Sequence, residues 1–264
     1  MLLAATAHAA RLPELAAAGP KTRVGVSTGI SRCFIRLEVS QALKTHRGNL
    51  ARYDGTAVDR LNAFNQLTSS GGPGTTFPAT TTAWDLNGNL LTETKSPSGL
   101  PPEVTTYGWD KDNRLRTVTP PIGTPTSYRN GANGLRTERI DPTGTTRYVL
   151  DGNSVLEDLN GANAIATRFL NNPQTIDETL AYQRGAASEY PLTDALGSVY
   201  AATDANGAVV HRYDFDVYGV RTDLGGTNSA IELGYTNRRH DPNGLINNGR
   251  RERNPFLGSW TSAD

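Results

Sequence analysis

The sequence is poor in cysteine, in net charge and in long apolar runs. Its 264 residues include one cysteine, Cys33, which excludes an intrachain disulfide and any cysteine-based zinc cluster. Lys plus Arg and Asp plus Glu balance at 26 each, so no global field favours nucleic acid or an anionic membrane. Apolar residues make up 36% and mean hydropathy is −0.48. Soluble domains usually carry about 45–50% apolar residues, which argues against a compact helical bundle here. No stretch approaches the roughly 18 apolar residues of a membrane span. The Met1–Ala10 stretch lacks a basic flank and a strong apolar core, so no signal peptide is read there.

Turn chemistry, by contrast, is abundant, with Gly 27 and Pro 15. Asn-Gly pairs occur at Asn87-Gly88, Asn130-Gly131, Asn133-Gly134, Asn160-Gly161, Asn206-Gly207, Asn243-Gly244 and Asn248-Gly249, and Asp-Gly at Asp54-Gly55 and Asp151-Gly152. Both dipeptides suit the two positive-φ positions of a type I′ turn, so the expectation is an all-β chain of successive hairpins. The clearest runs from Val199 to Tyr213 around Asp204-Ala205-Asn206-Gly207. Residues 68–82, rich in Ser, Thr, Gly and Pro, read as a linker or long loop. Residues 1–18 read as an Ala/Leu helix or frayed arm, and Cys33 to Val39 alternates as a strand.

A repeat lies on these hairpins: an aromatic-Asp pair, turn residues, an apolar residue and a short polar strand. It occurs at Tyr53-Asp54, Trp84-Asp85, Trp109-Asp110 and Tyr213-Asp214, with weaker copies beginning at Tyr128 and Tyr148. Unequal spacing fits repeats that carry insertions. The aromatic can cover a neighbouring hairpin while the Asp bonds the turn backbone and the next Gly or Asn takes positive φ.

This pattern resembles the YD repeats of RHS-repeat proteins, a family that includes polymorphic bacterial toxins and the C components of insecticidal Tc toxins. Tyr190 to Val199, with Asp194 and Gly197, resembles the entry of the RHS repeat-associated core. So do Thr203 to Gly207 and Tyr213 to Gly219, the latter containing Asp214. Tyr235 to Leu245, with Asp241, Pro242 and Gly244, and Asn254 to Asp264 resemble its later motifs. The resemblance covers roughly 51–264 and divides the chain into an irregular or short-helical arm (1–50), a YD-hairpin region (51–189) and a truncated core (190–264).

The resemblance implies a curved sheet of hairpins, a partial shell, and a structural role: walling in or presenting a C-terminal toxin, with no toxin domain in this chain. Upstream RHS repeats or a toxin domain would be the partners, and the location secreted or cell-surface. So few repeats are expected not to close a shell, which leaves sheet edges exposed. Relatives cut themselves with two aspartates, but here Asn254 replaces the first, Ser259 replaces an Arg and only Asp264 matches the second. An amide cannot act as general base, so no catalytic residue is expected.

Two alternatives stand beside the shell: an adhesion module binding cell-surface glycans through Tyr and Trp rows, and a residual aspartyl-type self-cleaving core. No cofactor or metal is implied. His8, His46, His211 and His240 lack ligand spacing, and His211 is expected to be partly exposed. Asp85, Asn87 and Asn89 mimic a calcium loop, but the Glu at its twelfth position is missing, which favours turn chemistry. The basic stretch Arg238 to Arg253 lacks stacking aromatics, so nucleic acid is not expected; it reads as a solvated or plug-facing strand.

Overall fold

The computed structural model describes residues 41–44, 50–53, 60–62, 66–70, 78–175, 177–228 and 231–263. Residues 1–40 and 45–49 of the N-terminal arm, with the strand expected over Cys33 to Val39, His8 and His46, lie outside them, as do Asp54, Asp264 and the side chain of Tyr53. Residues 41–44 of the arm, expected to be irregular or short-helical, are strand.

Short runs rich in Thr, Val, Tyr and Leu between turns make strands, as pleat-compatible residues should. β1 (Gln41–Lys44) and β2 (Leu50–Tyr53) form a separate antiparallel hairpin. Sixteen strands then form one antiparallel sheet. Its first half is β3 (Arg60–Leu61), β4 (Leu67–Ser70), β5 (Ala79–Trp84), β6 (Leu90–Ser96), β7 (Glu103–Trp109), β8 (Leu115–Thr119), β9 (Thr126–Asn130) and β10 (Arg136–Asp141). The second half is β11 (Gly144–Asp151), β12 (Ser154–Leu159), β13 (Ile165–Asn171), β14 (Thr179–Arg184), β15 (Ala187–Thr193), β16 (Val199–Asp204), β17 (Val209–Phe215) and β18 (Arg221–Gly226). Every strand pairs with its sequence neighbours, and β3 and β18 do not pair with each other. The expected all-β class is thus present, with the sheet open. The loop expected over 68–82 is partly strand, because Ser69 and Ser70 pair with Thr81 and Thr80.

The turns differ from the type I′ expectation. In Asp85-Leu86-Asn87-Gly88, the carboxylate of Asp85 accepts the backbone N–H of Asn87 at 2.9 Å and of Asn89 at 2.8 Å. Asp110, Asn160, Asp194, Asp204 and Asp216 repeat this arrangement. Only the fourth position has positive φ: 85° at Gly88, 78° at Gly197, 80° at Gly207 and 85° at Gly219, with Asn113 (57°) and Asn163 (61°) as substitutes. Asn87 and Asn206 keep negative φ, so these are type I turns closed by a left-handed residue. The Asp side chain holds the first three residues in that geometry, which a bare Asn-Gly pair would not.

Five of these turns are followed by a register shift that leaves one extra residue on the returning strand: Leu91, Arg116, Ala166, Tyr200 and Val210. A bulge bends its strand and increases local twist. Repeated at the same place in successive hairpins, it curls the sheet.

The concave side is filled by the C-terminal segment, residues 231–263. A single 3-10 turn (Tyr235–Asn237) precedes a second antiparallel sheet of β19 (Arg239–His240), β20 (Ile246–Asn247), β21 (Glu252–Asn254) and β22 (Ser259–Trp260). The segment retraces the wall in reverse. Gly234 O accepts from Val199 N on β16 at 3.0 Å, Asn237 bonds Thr179 on β14, and Arg239 meets Asp158 on β12. At the far end Thr261 O accepts from Leu90 N at 2.7 Å, and Ala263 N donates to Gly88 O at 3.2 Å. Two apolar clusters flank this path. Leu67, Leu90, Leu115 and Tyr128 enclose Leu245 and Leu257, while Tyr182, Val199, Val210 and Tyr213 enclose Ile231 and Leu233.

Candidate functional site

The repeat aromatics act as struts between hairpins. Trp84 donates its indole N–H to Leu67 O at 2.8 Å, and Trp109 to Leu90 O at 2.8 Å, each reaching back to the preceding hairpin. Tyr213 is buried against Ile231. Its neighbour Asp214, expected to start a turn, instead lies within β17 opposite Thr222, and the turn begins at Asp216. The cause is local: the left-handed Gly219 comes three residues after Asp216, and a Cβ there would meet the Tyr235 ring at 2.7 Å. His211, expected to be partly exposed, is 5% exposed, with its ring between Asn228 O and Asp223 at 3.0 Å each.

Asp241-Pro242-Asn243-Gly244-Leu245 has the backbone of the capped turns, with Gly244 N donating to Asp241 O at 2.9 Å. Its carboxylate is used elsewhere. Asn243 takes over the cap, accepting from Leu245 N at 3.2 Å, and Asp241 turns into the wall. There it accepts Arg136 Nη1 at 2.8 and 2.7 Å, Arg139 Nη1 at 3.2 Å and the Tyr128 O–H at 3.0 Å.

Around this junction three arginines meet five carboxylates. Arg136 also donates to Glu252 at 2.9 Å, and Arg139 to Asp141 at 2.6 Å and Glu232 at 2.9 Å. Arg239 reaches Asp158 at 2.9 and 3.0 Å and Glu232 at 2.8 Å. Counting each carboxylate as ionised leaves two negative charges in excess. Burial lifts the carboxyls of Asp158 and Glu252 above their usual range, outweighing Arg239 and Arg136 respectively. Glu232 goes the other way: burial would raise it, but Arg239 and Arg139 hold it at about 2. His240 is pushed down to about 3 by burial and by Arg221, so its neutral Nε2 accepts from Tyr235 N at 3.0 Å.

Asn254 sits 3% exposed on β21. Its Nδ2 donates to Glu93 Oε2 at 2.8 Å, and its Oδ1 accepts from Leu257 N at 3.2 Å. Tyr107 donates to the same Glu93 oxygen at 3.0 Å, and burial and Glu93 push its phenol well above the ordinary value. The amide serves as a donor to a buried carboxylate, a role in which it transfers no proton. Nothing in the sequence pointed to Glu93 as its partner, since the two lie 161 residues apart. Among the described residues no group of His, Cys, Asp and Glu could hold a metal ion. The Asp85 carboxylate accepts from the turn backbone, and the Asn89 amide donates to Asp85 Oδ2 and to Asn113 Oδ1 at 2.8 Å each.

What this arrangement does chemically is bind: it fastens the C-terminal segment across the wall. No family model matches the chain, and no curated protein does. Several solved structures resemble it. One of TcdB2-TccC3 without its hypervariable C-terminal region has a TM-score of 0.48 and 15% identity over 87% of this chain. A TcdB2-TccC3-TEV structure gives 0.47 and 14% over 86%, and the Photorhabdus luminescens Tc holotoxin pore 0.46 and 14% over 88%. In each case the chain spans 16% of the other's length.

Proposed function

We propose that this chain is a structural part of an RHS-type toxin-carrier shell, in which the hairpin wall curves around its own C-terminal segment and that segment acts as an internal seal. The observation that carries the reading is the junction of Asp241 with Arg136 and Arg139, where a turn carboxylate is diverted from capping its own backbone to anchoring the segment on the wall. The core motifs of the sequence resemblance fall on this segment and on β15 to β18, which adjoin it. Upstream RHS repeats would lengthen the wall, and a toxin polypeptide would be the cargo. In this reading its own contribution is mechanical, with Asn254 fastening the segment to Glu93 on the wall.

The carrier reading is tested with a reporter polypeptide fused behind Asp264 in a chain extended upstream by RHS repeats. Protection of the reporter from protease is expected; digestion at the rate of free reporter would sink the proposal. On the chain alone, the intact mass of 28.3 kDa should persist through long incubation, and trypsin should spare 231–263. A time-dependent loss of mass would reinstate the self-cleaving core. Glycan binding abolished by Trp109→Ala would favour adhesion.

A further inference from the structure

A cleft of about 530 Å³ opens at the tips of three successive hairpins, β5–β6, β7–β8 and β9–β10, where the C-terminal segment crosses them. Three arginines line it, Arg114, Arg250 and Arg251, against one carboxylate, Asp112. That acid is matched in turn by Lys111, 3.3 Å away. A chain whose charges balance overall thus carries a local cationic excess at this point.

These groups meet on one turn, residues 131–134. Arg114 donates from Nη1 to Gly131 O at 3.0 Å and from Nη2 to Ala132 O at 3.4 Å, which fixes its guanidinium there. Arg250 lies over the last residue of the same turn: a Cβ on Gly134 would be 3.5 Å from its Cδ and 3.8 Å from its Nε. Its guanidinium has no ion pair or hydrogen bond among the described residues. Arg251 is steadied over the Trp260 ring at 4.1 Å. The amides of the cleft add donors. Asn133, in this turn, accepts from Leu135 N through Oδ1 at 3.1 Å, and Asn113 accepts from Asn89 Nδ2 through Oδ1 at 2.8 Å. Each keeps its Nδ2 hydrogens to offer. Arg250, Asn113 and Asn133 are all exposed, so a solute can reach them. What remains uncommitted is positive charge and N–H donors, the complement of an oxyanion with several accepting oxygens. A guanidinium fork suits the paired oxygens of a tetrahedral phosphate or sulfate. The volume is that of a small-molecule site, about 300–1,000 Å³, and leaves room for more than a bare anion. No aromatic ring is among the lining residues, so a nucleobase is offered no stacking surface.

We propose that this cleft binds a phosphate or sulfate group, either as the free anion or as an ester on a small molecule, with Arg250 as its main anchor. The proposal does not rest on the carrier reading. Inorganic pyrophosphate titrated into the isotope-labelled full chain should give saturable shifts of the Arg114 and Arg250 Nε–H signals and of the Asn113 and Asn133 side-chain amides. Arg250→Ala should weaken binding at least tenfold, and it leaves the fold intact because Arg250 holds no other group. Arg212→Ala removes an equal charge from an exposed position on β17 and should change binding less than twofold. Glucose 6-phosphate binding more tightly than inorganic phosphate would assign the ester; equal binding would assign the free anion. Non-saturating shifts overturn the proposal, as do equal effects of Arg250→Ala and Arg212→Ala. Loss of all binding at about 0.15 M salt would show diffuse charge attraction without a site, and overturns it too.

Discussion

Replacing Asp241 by Asn removes one charge and almost no volume at a side chain with no exposure. Its carboxylate takes two contacts from Arg136, one from Arg139 and one from Tyr128. Breaking one partner of a buried ion pair costs about 3–5 kcal/mol. Here Glu252, Asp141 and Glu232 still neutralise part of the arginine charge, and the amide keeps one accepting oxygen. The lower end, about 3 kcal/mol, is therefore expected, or a fall in Tm of about 6–12 °C for a chain of this size. Thermal unfolding followed by far-UV circular dichroism measures it. Hydrogen exchange locates it, because protection should be lost first in 231–263 and in β9 and β10. A Tm within 2 °C of the parent, or loss of protection confined to β3 to β6, would refute the reasoning.

Three further outcomes follow from the same geometry. Asp204→Ala deletes two exposed backbone contacts, at 2.8 and 2.9 Å, and should cost about 1 kcal/mol, with faster exchange at Ala208. The raised carboxyls of Asp158 and Glu252 contribute stability that is complete below their unfolded values and lost as pH rises through the folded ones; depressed Glu232 contributes stability that is lost as pH falls towards about 2. His240, held at about 3, contributes stability that is lost as pH falls below its unfolded value of 6.5. Tm should therefore drop from pH 7 to 4, with His240→Gln flattening that arm; a Tm that rises steadily as pH falls over this range contradicts this. Asn254→Asp sets a second carboxylate 2.8 Å from Glu93, so the pair must share a proton, and the variant should lose about 2 kcal/mol at pH 8 and recover near pH 5. Equal Tm deficits at both pH values would contradict it.

The hairpins were legible because their determinants are local. Asp204 and Gly207 lie in one four-residue turn, and the carboxylate reaches no farther than the fourth residue on. The site was not legible, because its charges invert the usual pattern. On β10, Arg139 is 2% exposed and Ile140 is 39% exposed. Alternation of charged and apolar residues reads the same whichever face is inside. Partners 93 to 161 residues apart, such as Arg139 with Glu232 and Glu93 with Asn254, leave no periodic trace. Only the low apolar fraction hinted that the interior would be polar. The buried His211 escaped for a different reason: its partner Asp223 is only 12 residues on, but on the next strand.

The reversed path of the C-terminal segment sets an order of assembly. Wall contacts join sequence neighbours and close short loops, so each hairpin can form as it leaves the ribosome. Contacts of the segment wait for 231–263 to emerge, and those that Arg136 makes close loops of 105 and 116 residues, the slow class of pairing. The wall is thus complete before the segment that packs on it exists. Whatever occupies the concave face in the meantime must leave before Asp241 can seat, or it will be shut in.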